Sequence, residues 1–444
     1  MRRVAIIGGG LAGLSAAAAL GESGFTVDLF EARGFLGGRA TSYRLPGSDE
    51  SSFAATTIDN CQHILLRCCV NLLDFYRRLG VSDRIHFHRD FYFIEPGGRM
   101  SVMKSGLLPA PAHFTESFLS LRFLSLRDKI AVGRGLLWLR SEYRRRTDLD
   151  RITMLDWLRE KGQTHGAIER FWRPVLVSAI NEELDRMAAS HGFQVFWLGF
   201  LARSNSYEMG VPAVPLADLY TSEVWNQRPN VRLHLRTPVS EIAMQDGRAR
   251  AVRTEAGLHE ADAVISAVPF ERIGPLTPGI DWPLDGFEHS PITGIHLWFD
   301  RPITSLPHAT LLDRTIQWMF NKEGGRHVQL VVSASRSLLK TPRNEVIDLA
   351  VEELAEFFPE VRNARLETAH VVKEVRATFS AAPGLESRRP VARTAIDSLF
   401  LAGDWTRSGW PATMEGAVRS GYLVAEAVAE SFGDHRRFLL PDIA

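Results

Sequence analysis

Cysteine is nearly absent. The 444 residues hold three, Cys61, Cys68 and Cys69, an odd number crowded into one short stretch. That pattern excludes a disulfide framework, and with no Cys/His ligand spacing nearby it offers no metal site. A surplus of charge of one sign is also missing. Lys and Arg number 52 and Asp and Glu number 52, which excludes the polyanion footprint of a general nucleic-acid binder. No apolar run approaches the roughly 18 residues needed to span a bilayer. The G-x-S-x-G, H-E-x-x-H and Walker A signatures are absent, so hydrolase and nucleotide-triphosphatase readings are weak. Met1-Arg2-Arg3 before apolar residues mimics a signal peptide, but no cleavage site follows. The expected location is cytoplasmic, with at most a peripheral contact to the inner face of the membrane. There is no fixed-period repeat or low-complexity tract.

What is present begins almost at the first residue. Residues 4–13 read VAIIGGGLAG, a β-branched run meeting a G-x-G-x-x-G at Gly8, Gly10 and Gly13, followed by an Ala- and Leu-rich helix to about Ser23. In this motif Gly8 permits the tight turn, Gly10 lets backbone approach a pyrophosphate, and Gly13 lets helix pack on strand. The pyrophosphate sits on the helix N-terminus, near Leu11 and Ala12, where free N–H groups favour negative charge. A second strand from Thr26 ends on Glu31, 18 residues after Gly13. A carboxylate there suits the adenosine ribose hydroxyls, with Ala32 and Arg33 beside it.

Two further features select FAD over NAD. Gly37-Gly38-Arg39 adds a second stretch of close backbone and a cation for phosphate. Near the other end, residues 399–405 read LFLAGDW, a short buried strand ending in Gly403-Asp404, with a helix from about Thr413. Asp404 suits a ribityl hydroxyl, and the helix N-terminus at Met414 suits the electron-rich N1–O2 edge of a flavin.

These three stretches, V-x-I-I-G-G-G-L-A-G-L-S-A-A, F-E-A-R…L-G-G-R-A and L-A-G-D-W…P-A-T-M-E-G-A-V-R-S-G, resemble the flavin amine oxidase and carotenoid desaturase superfamily from Arg3 to about Glu430. The resemblance is specific at the ends and loose in the middle. It implies an α/β fold of amine oxidase type: a Rossmann-like FAD-binding domain and a discontinuous substrate domain of mixed sheet and helices. Residues 58–63, Ile58-Asp59-Asn60-Cys61-Gln62-His63, and the stretch Val214 to Tyr220 further resemble the squalene-associated branch, the hydroxysqualene dehydroxylases of hopanoid synthesis. Cys61 departs from the glycine expected there. The resemblance puts the backbone at Val239 near the adenine and carries Gln62 and His63 past the flavin ring.

On this basis residues 1–65, 206–270 and 386–444 are expected to form the FAD domain. Residues 66–205 and 271–385 form the substrate domain, with 105–205 mainly helical. Val231-Arg-Leu-His-Leu alternates as a half-buried strand does. Asp246-Gly247 between two strand-like runs signals a hairpin. Residues 263–269 read as a buried strand closed by proline, 293–299 and 328–333 as strands, and 344–358 as a helix.

The expected reaction is reduction of hydroxysqualene to squalene. An allylic hydroxyl leaves as water and a hydride arrives, so a proton donor is needed. His63 is the first candidate, with Asp59 orienting it and Gln62 beside it; Tyr207 and Glu208 are weaker candidates. The alternatives are a carotenoid desaturase, which moves hydride the other way, and a non-catalytic prenyl-binding protein resembling the Rab escort proteins. Ten tryptophans and 25 phenylalanines are available to line an apolar pocket; Phe193, Phe196, Trp197 and Phe200 fall at near-helical spacing, most simply as core. Residues 105–146 combine large apolar side chains with cations. From Arg122 to Arg146 there are eight basic residues, including Arg144, Arg145 and Arg146, against two acidic ones. Such a stretch suits either a solvated helix face or an anionic bilayer surface.

Overall fold

The computed structural model describes residues 2–45 and 57–443. Five parallel strands lie in the order Val231–His234, Thr26–Phe30, Arg3–Ile7, Ala263–Ser266 and Leu399–Leu401. The three strands Arg3–Ile7, Ala263–Ser266 and Leu399–Leu401 are nearly all buried, as a covered parallel sheet requires, while Thr26–Phe30 and the edge strand Val231–His234 mix buried and more exposed residues. Helix Leu11–Glu22 follows the first strand with residues 11–21 all buried. Its alanines let it lie close to helix Met414–Ser431, where the Ser15 hydroxyl donates to the Val418 carbonyl at 3.3 Å. Strands Glu241–Gln245, Arg248–Thr254 and Gly257–Glu260 form a small antiparallel sheet beside it. Its first turn is the anticipated hairpin, with Asp246 and Gly247 at φ 52° and 73°, both positive as a type I′ turn demands.

The second lobe is built on seven strands in the order Leu366–Phe379, His289–Phe299, His327–Ser333, Trp318–Glu323, His308–Leu311, Phe91–Ile94 and Met100–Met103. One face packs Ile295, Leu297, Leu330 and Val332 beneath helix Arg343–Phe357. The other meets the helical stretch, whose Trp157, Trp172, Phe193 and Phe196 form an edge-to-face aromatic core.

Packing moves one expected boundary. Helix Val70–Leu79 buries Leu72, Phe75, Tyr76 and Leu79 in the core of the parallel-sheet lobe, and the Tyr76 and Tyr220 hydroxyls are 3.0 Å apart. The first segment of that lobe therefore runs to about residue 85, not 65. The seam between the lobes is a small sheet in which Met209–Pro212 pairs with Leu65–Leu66 and Ile85–His88.

Candidate functional site

The three glycines of the first turn have three distinct surroundings. Gly8 has φ 109°, and a Cβ there would stand 2.8 Å from the Ala267 carbonyl oxygen. At Gly13 a Cβ would stand 2.0 Å from the Gly8 carbonyl oxygen, so helix and strand touch backbone to backbone. At Gly10 the nearest atom to such a Cβ is Gly38 Cα at 3.9 Å, an ordinary contact without a clash. Gly10 also caps helix Leu11–Glu22 without a side-chain hydrogen bond. The first-turn N–H groups of Leu11, Ala12 and Gly13 have no intrahelical acceptor. The second glycine pair is drawn against this loop by the Gly37 N–H, which donates to Gly9 O at 2.8 Å. Two glycine backbones and one helix N-terminus thus enclose a cradle that a side chain at Gly10 would fill. Glu31 stands at its rim, accepting from the N–H groups of Gly9 at 2.7 Å and Arg33 at 2.8 Å, with Ala32 and Arg33 exposed.

Two residues expected to hold separate parts of the cofactor also contact each other. Arg39 donates to Asp404 Oδ1 at 2.7 Å and to the Ala377 carbonyl at 2.8 Å. Arg39 is therefore a strut between glycine loop, substrate sheet and the Gly403-Asp404 turn, and its charge is met by Asp404 before any phosphate. Gly403 has φ 138°, and its N–H donates to Ser420 Oγ at 2.9 Å. Val239 is half-buried and packs at the cluster of Phe30 and Ile242, so its side chain is core. Sequence reading missed Arg389. It is fully buried, and its guanidinium donates to the carbonyls of Asp404 and Trp410, each at 2.8 Å, and also to that of Thr406. It shapes the whole 403–410 turn, yet no motif marks it; a buried arginine is identified by burial alone.

Asp59 does not orient His63. Its Oδ1 accepts from Ser42 Oγ at 2.7 Å and Leu216 N–H at 3.0 Å, and its Oδ2 accepts from Lys322 Nζ at 3.1 Å. Burial works against this carboxylate, but Lys322 and those donors outweigh it and hold its pKa below the usual value. Asp59 is a structural clamp. His63 instead has Nδ1 2.8 Å from the Cys61 carbonyl. A carbonyl only accepts, so Nδ1 carries the hydrogen and Nε2 is left free. Burial lowers the His63 pKa despite the Cys61 carbonyl and Asp59. The Gln62 amide is buried, and neither its oxygen nor its nitrogen has a partner among the described residues. Cys61 has no left-handed backbone, so the expected glycine is not required there. Burial pushes its thiol up to about 12.

Beyond His63, an apolar cavity of about 170 Å³ is walled by both lobes. Ile64, Leu66, Phe91, Phe200 and Trp318 contribute hydrocarbon and rings, and Met414 comes from the helix N-terminus behind the Gly403-Asp404 turn. Glu415, also in its wall, was missed by sequence reading. Burial raises its pKa to about 6 although it accepts from Asn71 Nδ2 at 2.9 Å and Leu72 N–H at 2.7 Å. An acid at a helix start was the available signal. Tyr207 and Glu208 lie outside the cavity wall. The Tyr207 hydroxyl accepts from Ser105 N–H at 2.9 Å, and Glu208 is held by Arg67 and Arg89.

A dinucleotide cradle and an apolar cavity walled in part by Met414 are the two parts of a flavin-dependent oxidoreductase site. The chain belongs to the family of flavin containing amine oxidoreductases, whose model matches residues 11–429. FAD is its cofactor, and the open cradle at Gly10 and the unpartnered helix start fit that group. Curated relatives include the 15-cis-phytoene desaturase of Synechococcus elongatus, 26% identical over 96% of this chain and 95% of that protein. The zeta-carotene desaturase of Synechocystis is 25% identical over 96% and 97%. The fold is shared with an oxidoreductase from Methanosarcina mazei, with a TM-score of 0.72 at 18% identity over 96% of this chain and 100% of that one. A putrescine oxidase bound to putrescine gives 0.68 at 16% identity over 97% and 99%. Among the described residues no helix is long and apolar enough to cross a membrane.

Proposed function

We propose that this chain reduces hydroxysqualene to squalene. The observation that carries the reading is the apolar cavity: its walls are hydrocarbon and aromatic, and the segment Gln62-His63 runs into that wall at Ile64. A long isoprenoid fits such walls, and exclusion of water there protects an allylic centre with cationic character. Bound FAD supplies hydride chemistry. The residues of the chain do the rest. The Gly10 cradle, the helix start at Leu11 and Glu31 hold the dinucleotide. The Cys61 carbonyl fixes the His63 ring through Nδ1, so that a proton on Nε2 is directed away from the backbone. In its protonated form His63 gives that proton to the departing hydroxyl, which leaves as water while hydride takes its place on carbon.

Carotene desaturation is the second reading, and the carotene desaturase relatives favour it. It moves hydride in the opposite direction and needs no proton donor for a leaving oxygen. Anaerobic mixing separates the two. The reduced enzyme should be reoxidised by hydroxysqualene, and the oxidised enzyme should not be reduced by phytoene; the reverse pattern makes the chain a desaturase.

A lipid-soluble substrate also implies a membrane surface. In support, Leu107, Leu119, Leu126, Ile130, Leu137 and Trp138 are all exposed within the stretch 105–146. Phe114 of the same stretch packs 6.1 Å from Phe200 in the cavity wall. We take this face as the peripheral contact with an anionic bilayer.

A further inference from the structure

The seven-stranded sheet carries a row of polar side chains on the face toward the cavity. Cross-strand pairing places His308 opposite Phe320, Phe320 opposite Gln329, and Gln329 opposite His296. Thr310, two residues after His308 and so on the same face, lines the cavity itself. Gln329 and Thr310 are buried at 0% and 2% exposure. Both amide atoms of Gln329 and the Thr310 hydroxyl lack a hydrogen-bond partner among the described residues, as do both ring nitrogens of His308. The loop above this face behaves alike. Cys61 Sγ lies 3.9 Å from where a Cβ on Gly294 would stand, Gly294 being two residues from His296. Ile64 lines the cavity with Thr310. Gln62, between Cys61 and Ile64, has its buried amide unpartnered too.

Buried groups left unpaired are costly, and a core of Leu and Val would avoid the cost. Thr310 carries this feature in the cavity wall itself, and Gln62 and Gln329 carry it in the loop and strand behind that wall, which points to a ligand with its own hydrogen-bonding group. We propose that Gln62, Thr310 and Gln329 form the recognition site for the oxygen of an isoprenoid alcohol and so determine specificity against plain hydrocarbons; the proposal rests on the reading of the chain as an isoprenoid flavoenzyme. A hydroxyl donates to a glutamine Oε1 and accepts from Nε2 or from the Thr310 hydroxyl. A carotene or squalene offers nothing to these atoms and leaves them unpaired. A site built to bond a hydroxyl rejects the analogue lacking it far more strongly than an apolar pocket rejects an added hydroxyl.

The test is a pair of titrations on the oxidised holoenzyme, with hydroxysqualene and squalene in the same detergent micelles, read from the flavin absorbance. Wild type is expected to bind the alcohol about tenfold or more tightly than the hydrocarbon. Thr310→Val, Gln62→Leu and Gln329→Leu are each expected to cut that ratio at least about threefold, with squalene affinity unchanged or improved. Thr310→Val preserves side-chain shape, so it carries the test if Gln329→Leu fails to fold. A ratio unmoved in every folded, flavin-loaded variant overturns the assignment and leaves ordered water as the partner of these atoms. If wild type reduces the alcohol while the variants keep its ratio, only this site falls. If wild type shows no preference and does not reduce the alcohol, the site and the proposed function fall together.

Discussion

The two large sheets use their buried faces differently. In the parallel sheet Val4, Ala5, Ile6 and Ile7 are buried together, and apolar residues cover both sides. In the seven-stranded sheet, adjacent cross-strand pairs face opposite ways. Ile295 pairs with Leu330 against helix Arg343–Phe357, and the next pair, His296 with Gln329, turns toward the other lobe. One step along the strand passes from hydrocarbon packing to an amide without a partner. The first sheet and the outer face of the second are dictated by folding. The inner face holds residues that folding alone would not select, and the proposed recognition of an alcohol accounts for them.

The sharpest form of this contrast lies within one glycine motif. Gly13→Val puts a side chain into the Gly8 carbonyl and should abolish the folded protein. Gly10→Val meets no protein atom closer than ordinary contact and should give a folded protein with no FAD and no activity. Flavin-to-protein ratio and thermal melting check both; full flavin occupancy in Gly10→Val removes the cradle assignment. Next in size, His63→Ala should retain FAD and lower single-turnover reduction of hydroxysqualene by about 10²- to 10⁴-fold. A change under about threefold would mean His63 is not the donor.

The two faces of the second sheet should respond with opposite signs. Leu330→Ala on the outer face should cost about 2–5 kcal/mol of unfolding free energy. Gln329→Leu on the inner face should be neutral or stabilising, because it removes an unpaired buried amide. Denaturant melts of the two variants decide this, and a loss in Gln329→Leu matching that of Leu330→Ala breaks the comparison. A smaller effect follows from pH. Burial lowers the His63 pKa from its usual 6.5, so at pH 7 less than about a quarter of the rings carry the proton. As an acid His63 works better when more of it is charged. The rate of alcohol reduction should therefore climb as pH falls from 8 and level off below the lowered pKa. A rate that drops over this range instead assigns His63 the role of base and favours desaturation.

The parallel-sheet lobe was legible in the sequence because its motifs are contacts of the backbone with itself. Gly8, Gly13 and the Asp246-Gly247 turn need particular φ angles or the absence of a Cβ, and few residues meet those needs. Strand and helix boundaries there fell within a few residues of the observed ones. The inner face of the second sheet was not legible. Gln329 stands in the run 328–333, which reads as an ordinary strand, the strand His308–Leu311 carrying Thr310 was not anticipated, and nothing local marks either residue as unpartnered. Asp59 shares the stretch 58–63 with His63, and the family resemblance of that stretch alone suggests it as an assistant. Its actual partner, Lys322, lies 263 residues away. Arg389 was missed for the same reason: it acts on carbonyls brought to it by the fold.

A third apolar surface has no protein cover, and it tests how far the contrast between folding and binding faces extends. Helix Leu126–Glu142 turns Leu126, Ile130 and Leu137 outward, with exposed Arg127, Arg134 and Arg140 on the same side. Folding gains nothing from leaving these leucines in water, whereas insertion at a bilayer surface buries them and brings the cations to anionic headgroups. The arginine run 144–146 looks the obvious target, but Arg146 is already held by Glu142, Asp148 and Glu160, so reversing it would break a structural network. Arg127→Glu, Arg134→Glu and Arg140→Glu combined should instead weaken binding to phosphatidylserine-containing vesicles by about 1 kcal/mol per cation at low salt. Activity on detergent-dissolved substrate should survive, since the cavity is untouched. Leu137→Ser should weaken vesicle binding without changing its salt dependence, which separates the apolar contribution from the electrostatic one. Co-sedimentation showing equal binding by wild type and variants, or none by either, would make this face a solvated one, and the substrate would have to reach the cavity by another route.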